Sequence, residues 1–267
     1  MPLTFYESYN WYMTKALRKL KKLISPRPYS LNRGNSVEVS DSLSCLLDRS
    51  LMLHSKLEIE LAKNNIKSLG IEGHHDKSKN WDLYLSLMSV ESLHKSSRIL
   101  DAGSGSKAVF AKSAISLGYK NVYACDLQEI HVKGVTKSKC DITKTPYSNG
   151  FFDAIACLSV IEHGVNLQDF SDEMFRICKP GGKLIVSTDF WPEDEDYSDR
   201  FPYGQENSHM KICSNKSIQK FREILVQSGW SLSTYSNFKP VSERPIHWER
   251  MNAKYTFLWF TATKKYS

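Results

Sequence analysis

Residues 97–106 read SRILDAGSGS, and this stretch decides the fold. The short run that opens it predicts a buried strand ending on Asp101. Gly103 and Gly105 follow at once, as a tight turn requires where the backbone must approach a ligand. A helical period and a second short strand come next, and that strand ends on Asp126. This order of strand, glycine turn, helix, strand and acid is half of a nucleotide-binding α/β fold.

The glycine turn by itself leaves two cofactors open. Gly103, Gly105 and Ala108 have the spacing of a dinucleotide-binding turn, with an acid about 20 residues further on, so NAD fits the pattern. Asp101 favours another cofactor, because a carboxylate directly before the glycines would face the like charge of a pyrophosphate. S-adenosylmethionine carries an ammonium group and no phosphate, and its ribose offers two hydroxyls to Asp126.

The composition is that of an ordinary globular protein. The chain has 267 residues, of which 41% are hydrophobic and 24% charged. No apolar run reaches the length of a membrane span, and the N-terminus lacks the apolar centre of a signal peptide. The six cysteines are scattered without metal-ligand spacing. We therefore expect a reduced, cytoplasmic and metal-free protein.

The first 40 residues are distinct in charge. Residues 1–30 hold six basic side chains and one acidic one, and so five of the seven net positive charges. Because little net charge is left for the rest, the main domain is not expected to bind nucleic acid. Residues 10–24 predict a helix with one apolar and one basic face, followed by a polar linker. This helix either packs on its own domain or lies on a membrane surface, which would place a cytoplasmic protein peripherally at the membrane.

Two further regions follow the linker at about residue 40. Residues 41–95 predict two helices, one from Ser42 to near Gly70 and one from Asp82, which we expect to form a cap over the cofactor edge of the sheet. Residues 96–267 alternate strands and helices, as in a doubly wound, mostly parallel α/β sheet. Ligands bind such sheets beyond the carboxyl ends of the strands. Four of the five predicted strand ends carry an acid, which suits a cationic cofactor: Asp101, Asp126, Asp141, Ser159 and Asp189.

Several ordered motifs together resemble the class I S-adenosylmethionine-dependent methyltransferases. They are Asp101-x-Gly103-x-Gly105, Asp126, Asp141-Ile142, Phe152-Asp153, Ile161-Glu162-His163 and Lys179-Pro180-Gly181-Gly182. Further stretches resemble a bacterial group of these enzymes that is associated with surface-glycan gene sets: Lys79-Asn80-Trp81-Asp82, 157–164, 187–191 and 244–248. The likeness covers about residues 70–263. It departs from the family at Lys107, where a third glycine is usual.

The resemblance implies a Rossmann-like methyltransferase fold with a seven-stranded sheet and an N-terminal helical extension. It also implies S-adenosylmethionine as the cofactor, with roles for particular residues. The methionine end would be held by Asp101, Ala102, Gly103 and Gly105; the ribose by Asp126; the adenine by Leu127, Asp141 and Ile142. Ser159 would lie beneath the sulfonium. The implied reaction is O-methylation of a small-molecule, glycan or glycolipid acceptor.

The acceptor side of the predicted site is less defined. His163 is the candidate general base for a hydroxyl acceptor, and the alternative is a structural hydrogen bond that closes its turn. Asp189 and Trp191 begin an acidic, aromatic loop that either reads a polyhydroxylated or cationic acceptor or is merely solvated. Two other functions stay open, an NAD-dependent oxidoreductase or epimerase and a cofactor-binding scaffold without catalysis. No Tyr-x-x-x-Lys follows the fourth strand, which counts against the commonest oxidoreductase arrangement.

Overall fold

The computed structural model describes residues 49–197, 199–201, 210–235 and 237–266. The predicted helix at residues 10–24 and its linker lie outside these ranges. The strands are β1 (Leu51–Met52), β2 (Arg98–Ala102), β3 (Asn121–Asp126), β4 (Thr136–Lys139), β5 (Phe152–Leu158), β6 (Cys178–Phe190), β7 (Trp230–Leu232), β8 (Ile246–Trp248) and β9 (Ala253–Lys264). The α-helices are α1 (Lys56–Ser68), α2 (Asn80–Val90), α3 (Val109–Ser116), α4 (Leu167–Ile177) and α5 (Asn215–Gln227), and 3-10 turns span Lys77–Lys79, Ile161–His163 and Glu249–Met251. No described helix is long and apolar enough to cross a membrane.

One sheet organises the described part of the chain. Its order is β1-β9-β6-β5-β2-β3-β4, with β7 and β8 also paired to β9. The five strands from β4 to β6 are mutually parallel, and β9 runs antiparallel to β6. Helices α1, α2 and α3 contact one another in series, whereas α4 contacts α5. The predicted doubly wound, mostly parallel α/β fold is therefore confirmed, and the strand order reverses between β2 and β5.

The sheet has nine strands where seven were predicted, because β1 and β8 were not foreseen. β1 has two residues and β8 has three, and both pair with β9. Strands this short carry too little sequence pattern to be predicted without their partner. In β1, Leu51 lies opposite Trp259 and Met52 opposite Leu258. The helix predicted from Ser42 was thus wrong over β1, and the first described helix begins at Lys56.

The region expected to cap the cofactor edge packs differently. Ten of the eleven residues of α2 are buried, and the helix contacts β5, β6 and β9 along the sheet. A helix that is buried on nearly every side lies in the interior of the fold, which the predicted cap did not allow for. The turn before it, Lys77–Lys79, reaches the carboxyl ends of β5 and β6 through Lys79.

The turn predicted at residues 179–182 lies inside a strand. Cys178 pairs with Phe152, and the next pair joins Lys183 to Ala154, so the four residues between are looped out of the ladder. A Cβ on Gly182 would lie 2.9 Å from the carbonyl oxygen of Lys179, which explains glycine there. Beyond the loop, β6 continues to Phe190 and delivers Asp189 to the carboxyl edge.

Candidate active site

The glycine turn after β2 is folded against the end of β3. The amide nitrogens of Gly103 and Ser104 donate to the carbonyl oxygen of Cys125, at 2.8 and 3.1 Å. Gly103 has φ +73°, and a Cβ there would lie 2.6 Å from a methyl carbon of Val160. Gly105 has φ +63°, yet nothing lies within 4 Å of a Cβ built on it. The turn is therefore packed against Val160 at Gly103, whereas Gly105 borders open space in which a ligand can lie.

Asp101, the acid before the turn, is buried at 3% exposure. Its Oδ2 accepts from the amide of Ala111 in α3 at 3.0 Å. Burial raises the pKa of Asp101 to about 7, and the charge of Asp126 adds to the effect. An ammonium group beside this carboxyl would favour its ionised form. The site thus fits the cationic end of S-adenosylmethionine better than a phosphate.

Asp126, at the end of β3, holds the turn in place with both carboxylate oxygens. Oδ2 accepts from the amide of Gly105 and Oδ1 from the amide of Gln128, each at 2.8 Å. A carboxylate oxygen has a second lone pair, so both can also accept from ribose hydroxyls. Asp126 can therefore bind ribose hydroxyls while it keeps its hydrogen bonds to the two backbone amides.

The residues predicted to bind adenine differ in their surroundings. Leu127 is 69% exposed, whereas Ile142 is buried. Asp141 turns its carboxylate to its own loop, where Oδ1 accepts from the amide and the hydroxyl of Thr143, both at 2.8 Å. An exposed leucine next to Asp126 is free to cover a flat base. Asp141 instead stabilises the loop that carries Ile142.

The departure from the family at Lys107 is accommodated by its neighbour. Lys107 itself is exposed, and α3 begins only at Val109. Ala108 takes the left-handed conformation with φ +38°, which costs a non-glycine residue about 1–2 kcal/mol. The turn keeps its shape without the third glycine because Ala108 bears this strain.

The end of β5 is also strained. Ser159 has φ +54°, a second left-handed non-glycine residue at the carboxyl edge. Its amide donates to the carbonyl oxygen of Ser187 in β6 at 3.0 Å. Its hydroxyl accepts from the Nζ of Lys79 at 2.5 Å. Strained residues of this kind are concentrated at functional sites.

Lys79 was not predicted as a site residue, yet it contacts residues at the carboxyl ends of β5 and β6, which we call the candidate acceptor end of the site. Besides Ser159, its ammonium contacts Asp189 Oδ1 at 3.4 Å and lies 4.0 Å from the centroid of the Phe257 ring. Burial lowers the pKa of Lys79, but the charges of Asp189 and other nearby carboxyls outweigh that effect and raise it overall. The only sequence signal was the motif at residues 79–82, to which no role was attached.

Two buried carboxyls surround this ion pair. Glu162 accepts from the hydroxyl of Thr188 at 3.1 Å, and burial together with the charge of Asp189 raises its pKa to about 8. Asp82 accepts from the hydroxyl of Ser187 at 2.6 Å, and burial raises its pKa as well. Each side chain is 2% exposed. At neutral pH Glu162 therefore favours the protonated form.

His163 lies on the exposed side of the 3-10 turn after β5. Desolvation by the surrounding protein lowers its pKa, Asp189 opposes that shift, and Lys79 reinforces it. A lowered pKa leaves the imidazole neutral at pH 7, the state in which it can accept a proton. A neutral imidazole is compatible with the predicted base, and that role stays a prediction.

The two residues predicted to bind the acceptor are close in the chain but mostly buried. Asp189 is 2% exposed and binds Lys79, and the hydroxyl of Tyr255 bonds to it as well. Trp191 is 3% exposed, and the guanidinium of Arg244 lies 3.8 Å above its ring. Arg244 also donates to both carboxylate oxygens of Glu195, at 2.5 and 2.9 Å. The acidic loop is therefore partly neutralised, which weakens the expectation of a cationic acceptor.

Comparison with known proteins agrees with this geometry. A family model described as a methyltransferase domain matches residues 100–186. The chain is also 26% identical over 156 residues to a ubiquinone/menaquinone biosynthesis C-methyltransferase, UbiE, of Burkholderia mallei. That match covers 48% of this chain and 63% of the relative, so it spans less than two thirds of the relative's length. Residues 100–186 are thus similar to a methyltransferase domain.

Solved structures extend the likeness to most of the fold. An S-adenosylmethionine-dependent methyltransferase from Mesorhizobium loti aligns with a TM-score of 0.52 at 18% identity, over 71% of this chain and 99% of its own. The [4+2]-cyclase SpnF aligns with the same TM-score at 17% identity, over 82% of this chain and 100% of its own. These structures show the Rossmann-like methyltransferase fold. The match to a methyltransferase domain supports S-adenosylmethionine as the cofactor. Because a named cyclase shares the fold, reaction type must be argued from the site.

Proposed function

We propose that the protein is an S-adenosylmethionine-dependent methyltransferase. The observation that carries this proposal is the open Gly105, flanked by Asp101 before the turn and Asp126 at the next strand end. A buried carboxyl suited to an ammonium group and a carboxylate with spare lone pairs match the two polar ends of this cofactor. A nicotinamide dinucleotide would bring its pyrophosphate to Asp101 and is disfavoured.

The chain supplies alignment and proton transfer to the reaction. S-adenosylmethionine, when bound, supplies a methyl group on a sulfonium that is already a good leaving group. Asp101 and Asp126 would hold its methionine and ribose ends, and Ser159 would lie beneath the sulfonium. Alignment of this kind contributes about 7–11 kcal/mol in favourable cases. His163 would accept the proton of a hydroxyl acceptor.

The acceptor proposed here is a hydroxyl group of a small molecule, a glycan or a glycolipid. The position of a neutral His163 beside the site supports a hydroxyl that must lose a proton. C-methylation is the second candidate, because the relatives in Burkholderia carry that name. Identifying the methylated atom by mass spectrometry and NMR of the product separates the two.

We further propose that residues 10–24 make peripheral contact with an anionic membrane surface. Each basic residue near such a surface contributes roughly 1 kcal/mol, and the helix would bring the enzyme close to a lipid-linked acceptor. Deleting residues 1–27 should abolish binding to anionic liposomes and leave the melting temperature and cofactor affinity unchanged. A destabilised protein would instead indicate packing on the domain.

Calorimetry on the full chain tests the cofactor first. We expect S-adenosylmethionine and S-adenosylhomocysteine to bind and NAD to show no heat of binding. Binding of NAD alone would overturn the proposed function. Binding without turnover on any hydroxyl or carbon acceptor would favour a scaffold.

A further inference from the structure

The acceptor end of the site is built on one cation and three carboxyls. Each carboxyl has partners inside the protein. Asp82 accepts from Ser187 and from the amide of Leu83, and Glu162 from Thr188. Asp189 is bonded by Tyr255 and by Lys79. None of the three is left as an unpaired anion within the described part of the chain.

Exposure separates the cation from the carboxyls. The side chain of Lys79 is 22% exposed, against 3% for that of Asp189. Asp82 and Glu162 are 2% exposed. Of the four residues, Lys79 is therefore the most exposed at the edge where ligands of such sheets bind.

The ammonium retains capacity for a ligand. It has three N–H donors. Ser159 takes one at 2.5 Å, and Asp189 lies at a long 3.4 Å. The neighbouring His163 contributes no net charge here, because its lowered pKa keeps the imidazole neutral at pH 7. An oxyanion arriving at this edge would meet a neutral imidazole and the ammonium of Lys79, which has Asp189 as a partner at 3.4 Å.

We propose that Lys79 is an acceptor-binding residue, and that the methyl acceptor presents an anionic oxygen to its ammonium. The inference rests on the proposed function, because it places the sulfonium of the cofactor beside Ser159. Carboxylate, phosphate and ionised hydroxyl share this chemistry. An anionic oxygen would be attracted both by the sulfonium and by the ammonium of Lys79, which keeps Asp189 as its partner.

The charge balance of the step follows directly. A lone pair of the acceptor oxygen forms the new O–CH₃ bond while the C–S bond breaks and its electron pair goes to sulfur. The sulfonium and the oxyanion thereby become a neutral thioether and a neutral ether or ester oxygen. An ionised hydroxyl would first have given its proton to His163. Lys79 and Asp189 remain as a pair throughout.

The first experiment measures the charge at the transfer position without an acceptor. Calorimetry on the full chain compares S-adenosylmethionine, which is charged at sulfur, with the neutral S-adenosylhomocysteine. In Lys79→Met, affinity for the charged ligand relative to the neutral one should rise about tenfold, because a nearby cation is gone. Lys77→Met removes an exposed charge from the same 3-10 turn and should leave the ratio as in the wild type.

The second experiment detects the anion itself. Saturation-transfer NMR on the S-adenosylhomocysteine complex uses acetate, methyl phosphate and phenol as probes of the three oxygen classes, with acetamide as the neutral match of acetate. At least one anionic probe should contact the wild type and Lys77→Met but not Lys79→Met, and acetamide should contact none. The probe that binds identifies the source of the oxyanion.

The outcomes are distinguishable. If neither cofactor form binds the wild type, the proposed function fails. If both bind but Lys79→Met leaves their ratio unchanged, or if every probe behaves alike in wild type and variant, the role of Lys79 is overturned. Should Lys79→Met not fold because Asp189 loses its partner, the double variant K79M/D189N removes both charges and should still lose the anionic probe.

Discussion

The two halves of the site are built in different ways. In the cofactor half, at the ends of β2 and β3, the acids are met by backbone amides nearby in sequence. Asp101 binds the amide of Ala111, and Asp126 binds that of Gly105, 21 residues away. In the acceptor half, at the ends of β5 and β6, side chains meet side chains. Lys79 reaches Ser159 across 80 residues and Asp189 across 110.

This difference separates what is general in the site from what is particular to this chain. Backbone amides are present in any sequence that forms the glycine turn, so the cofactor half needs only a few glycines and acids. The acceptor half needs particular side chains delivered by α2, β5, β6 and β9. We infer that the cofactor half follows the fold and the acceptor half sets the specificity.

The largest expected effect is on turnover, in the acceptor half. His163→Ala should lower kcat about 10²–10⁴-fold with cofactor affinity nearly unchanged, because a general base is lost. His94→Ala, in the loop before β2 and so at the opposite end of the sheet, is the control. The base must be neutral and its pKa is lowered, so wild-type kcat should fall with decreasing pH only below about 6.5. Unchanged turnover on the true acceptor would return His163 to a structural role.

The two halves of the site meet where Gly103 packs against Val160, and a substitution at Gly103 tests this contact. Gly103→Ala should lower the free energy of unfolding by about 2–4 kcal/mol, through left-handed strain and the clash with Val160. Gly105→Ala has the strain without the clash and should cost only about 1–2 kcal/mol, measured by urea denaturation. Val160→Ala should restore part of the loss in Gly103→Ala. Equal costs for the two glycines would show that the halves do not meet there.

The cofactor half is tested by Asp126→Ala. We expect S-adenosylmethionine binding to weaken by about 1.5–3 kcal/mol, since the ribose hydroxyls lose a charged acceptor and Gly105 loses its tether. Glu129→Ala, an exposed acid three residues on, is the matched control for calorimetry. An unchanged affinity would place the ribose elsewhere.

The smallest effect concerns the pH dependence of stability in the acceptor half. The pKa of Glu162 is raised in the fold from 4.5 to about 8, so its contribution to stability is full at low pH and is lost as pH rises through that window. Glu162→Gln cannot ionise. The free energy of unfolding of the variant minus that of the wild type should therefore grow between pH 5 and 8, by on the order of 2 kcal/mol. A flat difference would contradict a protonated Glu162.

The predicted helices and strands agree with the structure where the short-range sequence pattern was strong. The glycine turn, the strands at its sides and the helix capped by Asn166 appear as expected, because each depends on neighbours in sequence. The prediction was wrong at Leu51 and Met52. Their leucine-rich surroundings favour a helix, but in the fold these two residues pair with β9 as a strand. Arg244 was recognised only as part of a motif, and its contacts with Trp191 and Glu195 depend on the fold.

By itself, the sequence determined the cofactor half: a doubly wound sheet, a glycine turn and acids at the strand ends that suit a cation. These follow from local conformational preference and from the rule that parallel strands present their carboxyl ends at one edge. Only the tertiary structure decided the acceptor half, in which Lys79, Glu162, Asp189 and Tyr255 share one charge network. The physical reason is that a charge network depends on distance in space and on burial, and neither quantity can be read from residues that lie 27 to 110 positions apart in the chain.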